Sequence, residues 1–408
     1  MHARARWLVS ILLTFILRAA LPAGAQDASL PIAAITDGNV WLYGVAGESR
    51  RLTNVMPGEP ILDLAWSPDG SALAFTGRKA NGAISLFLWN ARGGPVVELT
   101  QGLHPALPAG FTTDSRELIY AAAVEGGGSA SGDLVQVYRY TPTAGSAPAP
   151  IGAFTLTTRC SPESAPPLPT AARYGFETGS GQFPRAVLAM MPFGLLHSAT
   201  CLTPDLWHMN PQNGNDRQMF AAVDGVFVSP EQARAVVVAD GTVTFVNTEL
   251  GPYLQLAPAA EPDQVGFGLP DSNEIFYSTR EVVAPEPLPA AAADALGAVY
   301  FQMPMRYRVS LRRFSLRSGR DDVLYTADAF AIGRIALAPD GDTLIFSQIP
   351  NAGAWVEAVA SGAALPDDFA AAERIVQTEV YALSLSDGSV RLLGANWNRF
   401  ALNPAQSP

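Results

Sequence analysis

Leu62 to Gly77, LDLAWSPDGSALAFTG, consists of two short apolar runs joined by a polar turn. In the first run, Leu62 to Trp66, apolar residues alternate as they do on one face of a β-strand. The turn is Ser67-Pro68-Asp69-Gly70, in which Pro fixes φ, Asp bonds its own backbone and Gly accepts a positive φ. Ala72 to Thr76 is small and apolar enough for a strand covered on both faces. The stretch therefore predicts a β-hairpin.

The chain repeats this hairpin. Ile335 to Ser347, IALAPDGDTLIFS, has the same register around Ala338-Pro339-Asp340-Gly341. Looser copies occur at Ser229-Pro230-Glu231, Leu269-Pro270-Asp271-Ser272 and Thr112-Thr113-Asp114-Ser115. Around the first hairpin, apolar segments divide residues 62–100 into four strands joined by short links. Such a four-stranded unit cannot bury both of its faces alone, so it must stack on its neighbours.

Dividing the whole chain in this way predicts an all-β propeller of seven four-stranded blades. Six or eight blades remain alternatives, because the fourth blade is poorly marked. Its second, third and fourth strands are assigned to Arg185–Met191, Asp205–Met209 and Arg217–Ala221, and its first strand carries no clear signal. The first blade has only three strands before the first hairpin. Trp397 to Pro404 resembles the lead-in to a hairpin, so we expect the C-terminal strand to complete the N-terminal blade.

The composition fits a folded, acidic protein. Hydrophobic residues make up 48% of the 408 residues and charged residues 15%, so disorder is disfavoured. The formal net charge is −11, and Lys79 is the single lysine. A chain without a basic run is a poor partner for nucleic acid, and none is expected.

Residues 1–25 have the features of an export signal. Arg4 and Arg6 precede the apolar run Trp7–Leu17, and Ala23-Gly24-Ala25 fits a cleavage site. We therefore expect a signal peptide at 1–25, a single propeller domain at 26–408 and no membrane span after cleavage. An uncleaved anchor is the alternative. In an oxidising compartment Cys160 and Cys201 would form one disulfide, with two separate buried thiols as the alternative.

The repeats resemble a known family. The Ser-Pro-Asp-Gly hairpins, together with Asn39–Tyr43, Asp205–Met209 and Glu379–Leu383, look like the turns and third strands of TolB-type propellers, the extracytoplasmic WD40-like repeats. The resemblance covers nearly all of residues 26–408, although only the second and seventh hairpins match well. It implies a secreted or periplasmic propeller with a protein or envelope partner. It implies little about activity, because one fold hosts many functions.

The connections separate onto two faces. The turns from first to second and from third to fourth strand share one face, here called the plain face. The connections from second to third strand and from one blade to the next share the other, the looped face. The long insertions fall on the looped face, and Ala290–Ala298 and Pro366–Ile375 could each form a short helix. We expect the functional surface there, around blades 6, 7 and 1; drifted loops without function are the alternative.

The sequence contains no hydrolase elbow, zinc motif, phosphate loop or calcium loop. No catalytic, cofactor-binding or metal-binding residue is therefore assigned, and no cofactor is expected. Structural roles are favoured for His104, His197 and His208, for the turn residues Asp69, Asp114, Asp271 and Asp340, and for the third-strand aromatics Trp41, Trp89, Trp207 and Tyr381. Arg312, Arg313, Arg317 and Arg320 form a local basic patch, for which a solvated strand is favoured over an anionic partner.

The sequence thus predicts a non-catalytic, monomeric binding scaffold of the cell envelope, with its partner on the looped face. The alternative is a propeller enzyme, a hydrolase or lyase acting on a carbohydrate or small ester at the channel mouth. It requires that His104, Glu379 and the acids Asp367 and Asp368 meet in space. A purely structural repeat module is a third alternative.

Overall fold

The structure, a computed structural model, describes residues 31–405 except 45–46, 57–58, 105–106, 127–132, 143–145, 157–187, 199–204, 247–253, 261, 282, 284–289, 291–306, 352, 364–374 and 398. The predicted signal segment and both cysteines lie outside the described residues. Of the two predicted helices, Ala290–Ala298 and Pro366–Ile375, all but a few terminal residues lie outside them too.

Seven four-stranded antiparallel sheets form a ring, as predicted. Blade 1 contains β1 (Ile32–Thr36), β2 (Asn39–Tyr43) and β3 (Ser49–Arg51); blade 2 contains β4 (Ile61–Trp66), β5 (Ala72–Arg78), β6 (Ile84–Asn90) and β7 (Val97–Gln101); blade 3 contains β8 (Gly110–Phe111), β9 (Leu118–Ala123), β10 (Asp133–Tyr140) and β11 (Ala149–Leu156). Blade 4 contains β12 (Leu188–Met191), β13 (Gly194–Ser198), β14 (Leu206–Met209) and β15 (Asp216–Phe220); blade 5 contains β16 (Val223–Val228), β17 (Ala235–Ala239), β18 (Thr242–Val246) and β19 (Leu254–Leu256). Blade 6 contains β20 (Gln264–Phe267), β21 (Glu274–Glu281), β22 (Tyr307–Ser315) and β23 (Asp321–Ala329); blade 7 contains β24 (Ala331–Leu337), β25 (Thr343–Ile349), β26 (Glu379–Ser384) and β27 (Val390–Ala395).

The C-terminal strand β28 (Arg399–Leu402) completes blade 1, as the sequence predicts. It pairs antiparallel with β1, from Ile32 opposite Leu402 to Ile35 opposite Arg399. β28 also contacts the innermost strands of both neighbouring blades, β4 and β24. The two ends of the described chain therefore close the ring within one sheet, which leaves no open edge at the junction.

The hydrophobic core lies between the blades. Each buried cluster of the described residues combines two neighbouring sheets, and together the clusters cover every junction in the ring. Middle strands are buried on both faces, which explains continuous apolar runs such as Ala235–Ala239 in place of strict alternation. Stacking of the sheets thus supplies the burial that a single blade lacks.

A bulge recurs in the fourth strand of blades 2, 3, 4, 6 and 7. In each of these the register slips by one residue, and the extra residue is Leu99, Ile151, Met219, Leu324 or Leu393. All five are apolar and pack against the cluster of a blade junction. The bulge thus turns an apolar side chain of an edge strand back toward the core.

Two details differ from the sequence prediction. In blade 4, Leu188–Met191 forms the first strand, so its assignment as the second was wrong; the second strand is Gly194–Ser198, which was missed. It follows a two-residue turn without an Asp-Gly pair, so the repeat pattern gave no signal. The helix α1 (Gly353–Ala360), in the insertion of blade 7, was also not predicted.

Candidate functional site

The connections between described strands differ sharply in length on the two faces. On the looped face, strands of blades 3, 6 and 7 are joined by residues 124–132, 282–306 and 350–378, and blade 3 is joined to blade 4 by 157–187. On the plain face the longest connection is 141–148. Extra chain is therefore attached to one face only.

On the plain face, three of the four repeated aspartates, Asp69, Asp114 and Asp340, bond their own turns, as predicted. Asp69 accepts hydrogen bonds from the Ser67 hydroxyl at 2.7 Å and the Ser71 backbone N–H at 3.0 Å. Burial raises the pKa of Asp69, but these bonds outweigh it and hold the pKa below its usual range. Asp114 and Asp340 accept equivalent bonds within their own turns. These carboxylates serve turn geometry.

Plain-face turns also bond the next blade. The Asp69 backbone N–H donates to the Ser115 hydroxyl of blade 3 at 3.0 Å. In blade 5 the buried Arg234 binds Glu231 at 2.6 Å and donates to the carbonyl oxygen of Gly268 in blade 6 at 2.7 Å. The plain face is therefore tied together by its own polar groups.

At the looped end of blade 6, an ion pair lies beside the ends of an insertion. Arg280, the next-to-last residue of β21, donates from Nε and Nη2 to the two carboxylate oxygens of Asp263, each at 2.9 Å. The Arg280 guanidinium carbon lies 5.4 Å from the ring centre of Tyr307, the first residue of β22. The insertion 282–306 therefore begins and ends beside a rigid, charge-paired support.

At the looped end of blade 7, polar and aromatic groups meet at the junction with blade 6. The Tyr325 hydroxyl of β23 donates to Gln348 Oε1 at 2.9 Å, and the Tyr381 hydroxyl donates to Glu379 Oε2 at 2.6 Å. Burial, together with the bond to the Glu379 carboxylate, raises the pKa of the Tyr381 hydroxyl above its ordinary value. Gln348 and Glu379 form the last cross-strand pair before the insertion 350–378. Polar groups thus converge where this insertion joins its sheet.

The innermost strands carry charged residues in three adjoining blades. Arg399 of β28 forms an ion pair with Asp63 of β4 at 3.2 Å, and Arg334 of β24 donates to the Phe400 carbonyl oxygen at 2.6 Å. These contacts bind the first strand of blade 1 to both neighbours. They stabilise closure of the ring.

The three histidines of the described residues are buried. His197 Nε2 lies 2.9 Å from Asp216 Oδ1, and the Phe154 ring of blade 3 stacks on His197 at 4.0 Å. His208 lies on β14, the strand beside that of His197, and its Nε2 atom is 2.6 Å from the Phe193 carbonyl oxygen. This proximity was not predicted, because β13 was not recognised in the sequence. His104 is buried on the link between blades 2 and 3.

Of the groups required by the enzyme alternative, His104 and Glu379 are not on neighbouring blades. Blades 1 and 2 separate His104 from Glu379, and Asp367 and Asp368 lie outside the described residues. Within the part of the chain that the structure describes, no three His, Cys, Asp or Glu side chains are grouped as metal ligands.

Two of the third-strand aromatics pack between sheets, as predicted: Trp89 is buried between blades 1 and 2, and the half-buried Tyr381 packs against the cluster between blades 6 and 7. Trp41 and Trp207 are half-buried. The basic patch of blade 6 is largely neutralised by carboxylates. Arg312 pairs with Asp321 at 2.9 Å, and Arg313 and Arg320 both pair with Asp322. Arg317, in the plain-face turn, is exposed.

The polar groups at the base of the looped face were only partly predicted. Glu379 was considered, whereas Arg280, Asp263, Tyr325 and Gln348 were not. Their one sequence signal is position, because Arg280 and Gln348 lie within two residues of where a long insertion begins. What this arrangement can do chemically is to hold two insertions on rigid supports that present hydrogen-bonding and aromatic groups.

The fold and these contacts define a seven-bladed β-propeller. No protein-family model matches the sequence, and no curated protein sequence matches it. Among solved structures, the chain is similar to the tricorn protease (8% identity, TM-score 0.50, covering 91% of this chain and 33% of that one) and to prolyl endopeptidases (12%, 0.50, 94% and 53%). It is also similar to TolB from Acinetobacter baumannii (14%, 0.40, 74% and 64%).

The chain spans less than two thirds of the length of each of these three proteins. At such identities the similarity shows the propeller fold alone, and membership of the TolB-type repeat family stays a prediction. None of the helices in the described residues is long and apolar enough to cross a membrane.

Proposed function

We propose that this protein is a non-catalytic extracytoplasmic binding scaffold that docks a protein partner on its looped face, around blades 6, 7 and 1. The carrying observation is the asymmetry of the connections: long insertions leave the sheets on one face only, while the other face is closed by short turns that bond one another. In a rigid repeat scaffold, such loops are the segments free to take up a binding role.

The supports under the insertions favour this proposal. The pair Arg280–Asp263 and the groups Tyr325, Gln348 and Glu379 lie at strand ends. The Arg280 side chain is 5% exposed and Gln348 is 6% exposed, so these groups hold the bases of the insertions in place, and a docked partner would meet the insertions themselves.

Site-specific photo-crosslinking tests the proposal. A benzophenone amino acid replaces Asp37 or Glu357 on the looped face, and Arg92 or Gln212 on the plain face; all four side chains are exposed. In envelope extract of the source cells, we expect one protein to form adducts at the looped-face positions and none at the plain-face positions. Equal adducts on both faces, adducts on the plain face alone, or no adduct at any position would contradict the proposal.

The extracytoplasmic location rests on residues 1–25 and on the resemblance of the hairpins to TolB-type repeats. We propose that the exported protein begins at Gln26. N-terminal sequencing of the protein recovered from the cell envelope checks this, and Leu12→Arg with Leu13→Arg, in the apolar run, should retain the protein in the cytoplasm. Export of the double variant at the normal level would refute the assignment of this segment.

A further inference from the structure

The outer strands of blades 6 and 7 carry exposed aliphatic side chains at equivalent positions. Val323 and Leu392 each directly precede the bulge residue of their strand, and each is 53% exposed. In the other bulged strands the same position is Glu98, Pro150 or Gln218. Among the bulged strands of the described chain, only those of blades 6 and 7 carry Val or Leu at this position; Val97 and Leu254 are exposed at other positions, on the outer strands of blades 2 and 5.

The two side chains lie on the outer strands of adjacent blades. Blades 6 and 7 pack through a shared core cluster, and Tyr325 of β23 bonds Gln348 of β25. Val390, the first residue of β27, adds a third exposed aliphatic group. We call Val323, Val390 and Leu392 the rim patch. Exposed apolar groups on unpaired edge strands are typical sites of association.

Opposite charges lie in the turns that precede the strands of the rim patch. Both plain-face turns are closed by a bond from a Gly N–H to a Ser carbonyl oxygen, at 315–319 and 384–388; exposed Arg317 lies in the first turn, and exposed Asp387 lies one position later in the second. The turn of blade 6 thus carries an exposed cation, and the turn of blade 7 carries an exposed anion.

We propose that the rim patch is a contact between two copies of this chain, related by a two-fold axis parallel to the channel. This rotation places blade 6 of one copy against blade 7 of the other and keeps both plain faces on the same side. Val323 then meets Leu392 of the second copy, Arg317 meets Asp387 of the second copy, and each contact occurs twice. Under this rotation, apolar groups meet apolar groups and each charge meets its opposite, so the contact is self-complementary.

The apolar area is small, so the dimer is weak and forms reversibly with concentration. The inference replaces the monomer expected from the sequence. It concerns the rim, and it stands or falls independently of a partner on the looped face.

Sedimentation velocity of the purified protein over a range of concentrations tests the inference. We expect the wild type to shift from monomer to dimer, and the double variant V323K/L392K to stay monomeric. Gln218→Lys is the matched control, because it places the same charge at the equivalent exposed position of blade 4, and it should dimerise like the wild type. Unchanged thermal unfolding of all three shows that the fold persists. A wild type that is monomeric throughout, or a double variant that still dimerises, overturns the proposal.

A charge exchange tests the orientation of the two copies. Asp387→Arg alone sets two arginines against each other and should weaken the dimer severalfold. Adding Arg317→Asp restores opposite charges, so the exchanged variant should recover most of the wild-type association. A single variant that dimerises normally, or an exchange that recovers nothing, contradicts the proposed axis.

Discussion

Arg234 of blade 5 binds the backbone of blade 6 across the junction of the two blades. It is 7% exposed, it binds Glu231 at 2.6 Å, and it donates to the carbonyl oxygens of Gly268 and Leu269 at 2.7 and 3.1 Å. It also lies over the Phe267 ring. A buried cation of this kind owes its place to complete pairing, since an unpaired buried charge is strongly unfavourable.

Arg234→Met should lower the free energy of unfolding by roughly 3–5 kcal/mol, because it leaves the Glu231 carboxylate and the carbonyl oxygens of Gly268 and Leu269 without this partner. Urea unfolding followed by circular dichroism measures the change. The control is Arg320→Met, whose side chain is 73% exposed beside Asp322 and whose loss should cost about 1 kcal/mol or less. Equal losses of unfolding free energy in the two variants would show that the contacts of Arg234 stabilise the protein no more than an exposed ion pair does.

His197 makes stability depend on pH. Burial lowers the pKa of His197 below its ordinary value, although the bond to Asp216 opposes this shift. The unfolded chain therefore binds the proton more readily than the folded chain does. The stability due to neutral His197 is present above the ordinary histidine pKa, about 6.5, and is lost as the pH falls below it.

We expect the free energy of unfolding to be lower at pH 5.5 than at pH 7.5, and His197→Phe to reduce the difference. Phenylalanine retains an aromatic ring to stack on Phe154 but cannot be protonated. Urea titrations at the two pH values provide the measurement. A pH dependence as large in the variant as in the wild type would assign the effect to other groups.

Among the elements, the closing strand β28 joins blade 1 to both of its neighbours, through contacts with β4 and β24. Besides its pairing with β1, the Trp66 Nε1–H of β4 donates to the Ala401 carbonyl oxygen at 3.2 Å. Asn403, directly after β28, is fully buried and donates to the Gly70 carbonyl oxygen at 3.0 Å. Gly70 has φ +67° and no room for a Cβ atom, which would collide with the Asn403 side chain. The hairpin of blade 2 is therefore built around the end of the chain.

Removing residues 396–408 should prevent cooperative folding, since it leaves β1 with an unpaired edge and strips buried contacts from β4 and β24. A single sharp thermal transition of the wild type should become broad, with aggregation. The synthetic peptide 396–408, added in excess, should restore the transition, whereas the same peptide with Asn403→Ala should restore it less well. A truncated chain that melts like the wild type would show that the ring does not need this closure.

Strands and turns were predictable where the signal is local. The hairpins at Ser67–Gly70 and Ala338–Gly341 were found because Pro, Asp and Gly dictate the turn within four residues. The strand Gly194–Ser198 was missed, since its turn lacks this chemistry. The contacts of Arg234 and of Trp66 join residues far apart in the chain, and no short-range pattern encodes them. The same holds for the candidate site. Its location could be predicted from the lengths of the insertions, whereas the pairing of Arg280 with Asp263 could be seen only in the folded structure.

At the scale of the whole molecule, the two faces of the ring have different roles. The plain face holds turns that bond one another from blade to blade, and the core clusters lock each junction. The looped face receives the added chain. The contacts that stabilise the ring and the inserted segments thus lie on different faces, as in other repeat scaffolds, where insertions occur on one side.

This division predicts how the molecule tolerates inserted sequence. A flexible Gly-Ser segment placed after Val283, an exposed residue at the start of the blade 6 insertion, should change the free energy of unfolding by less than about 1 kcal/mol, because lengthening a long loop costs little entropy. The same segment placed after Gly70 should destabilise the protein by several times as much, since it separates Asn403 from the hairpin that holds it. Urea unfolding of both variants measures the contrast. If the two insertions lower the free energy of unfolding equally, the plain-face turns act only as linkers. The arrangement of the blades would then depend on the apolar junctions alone.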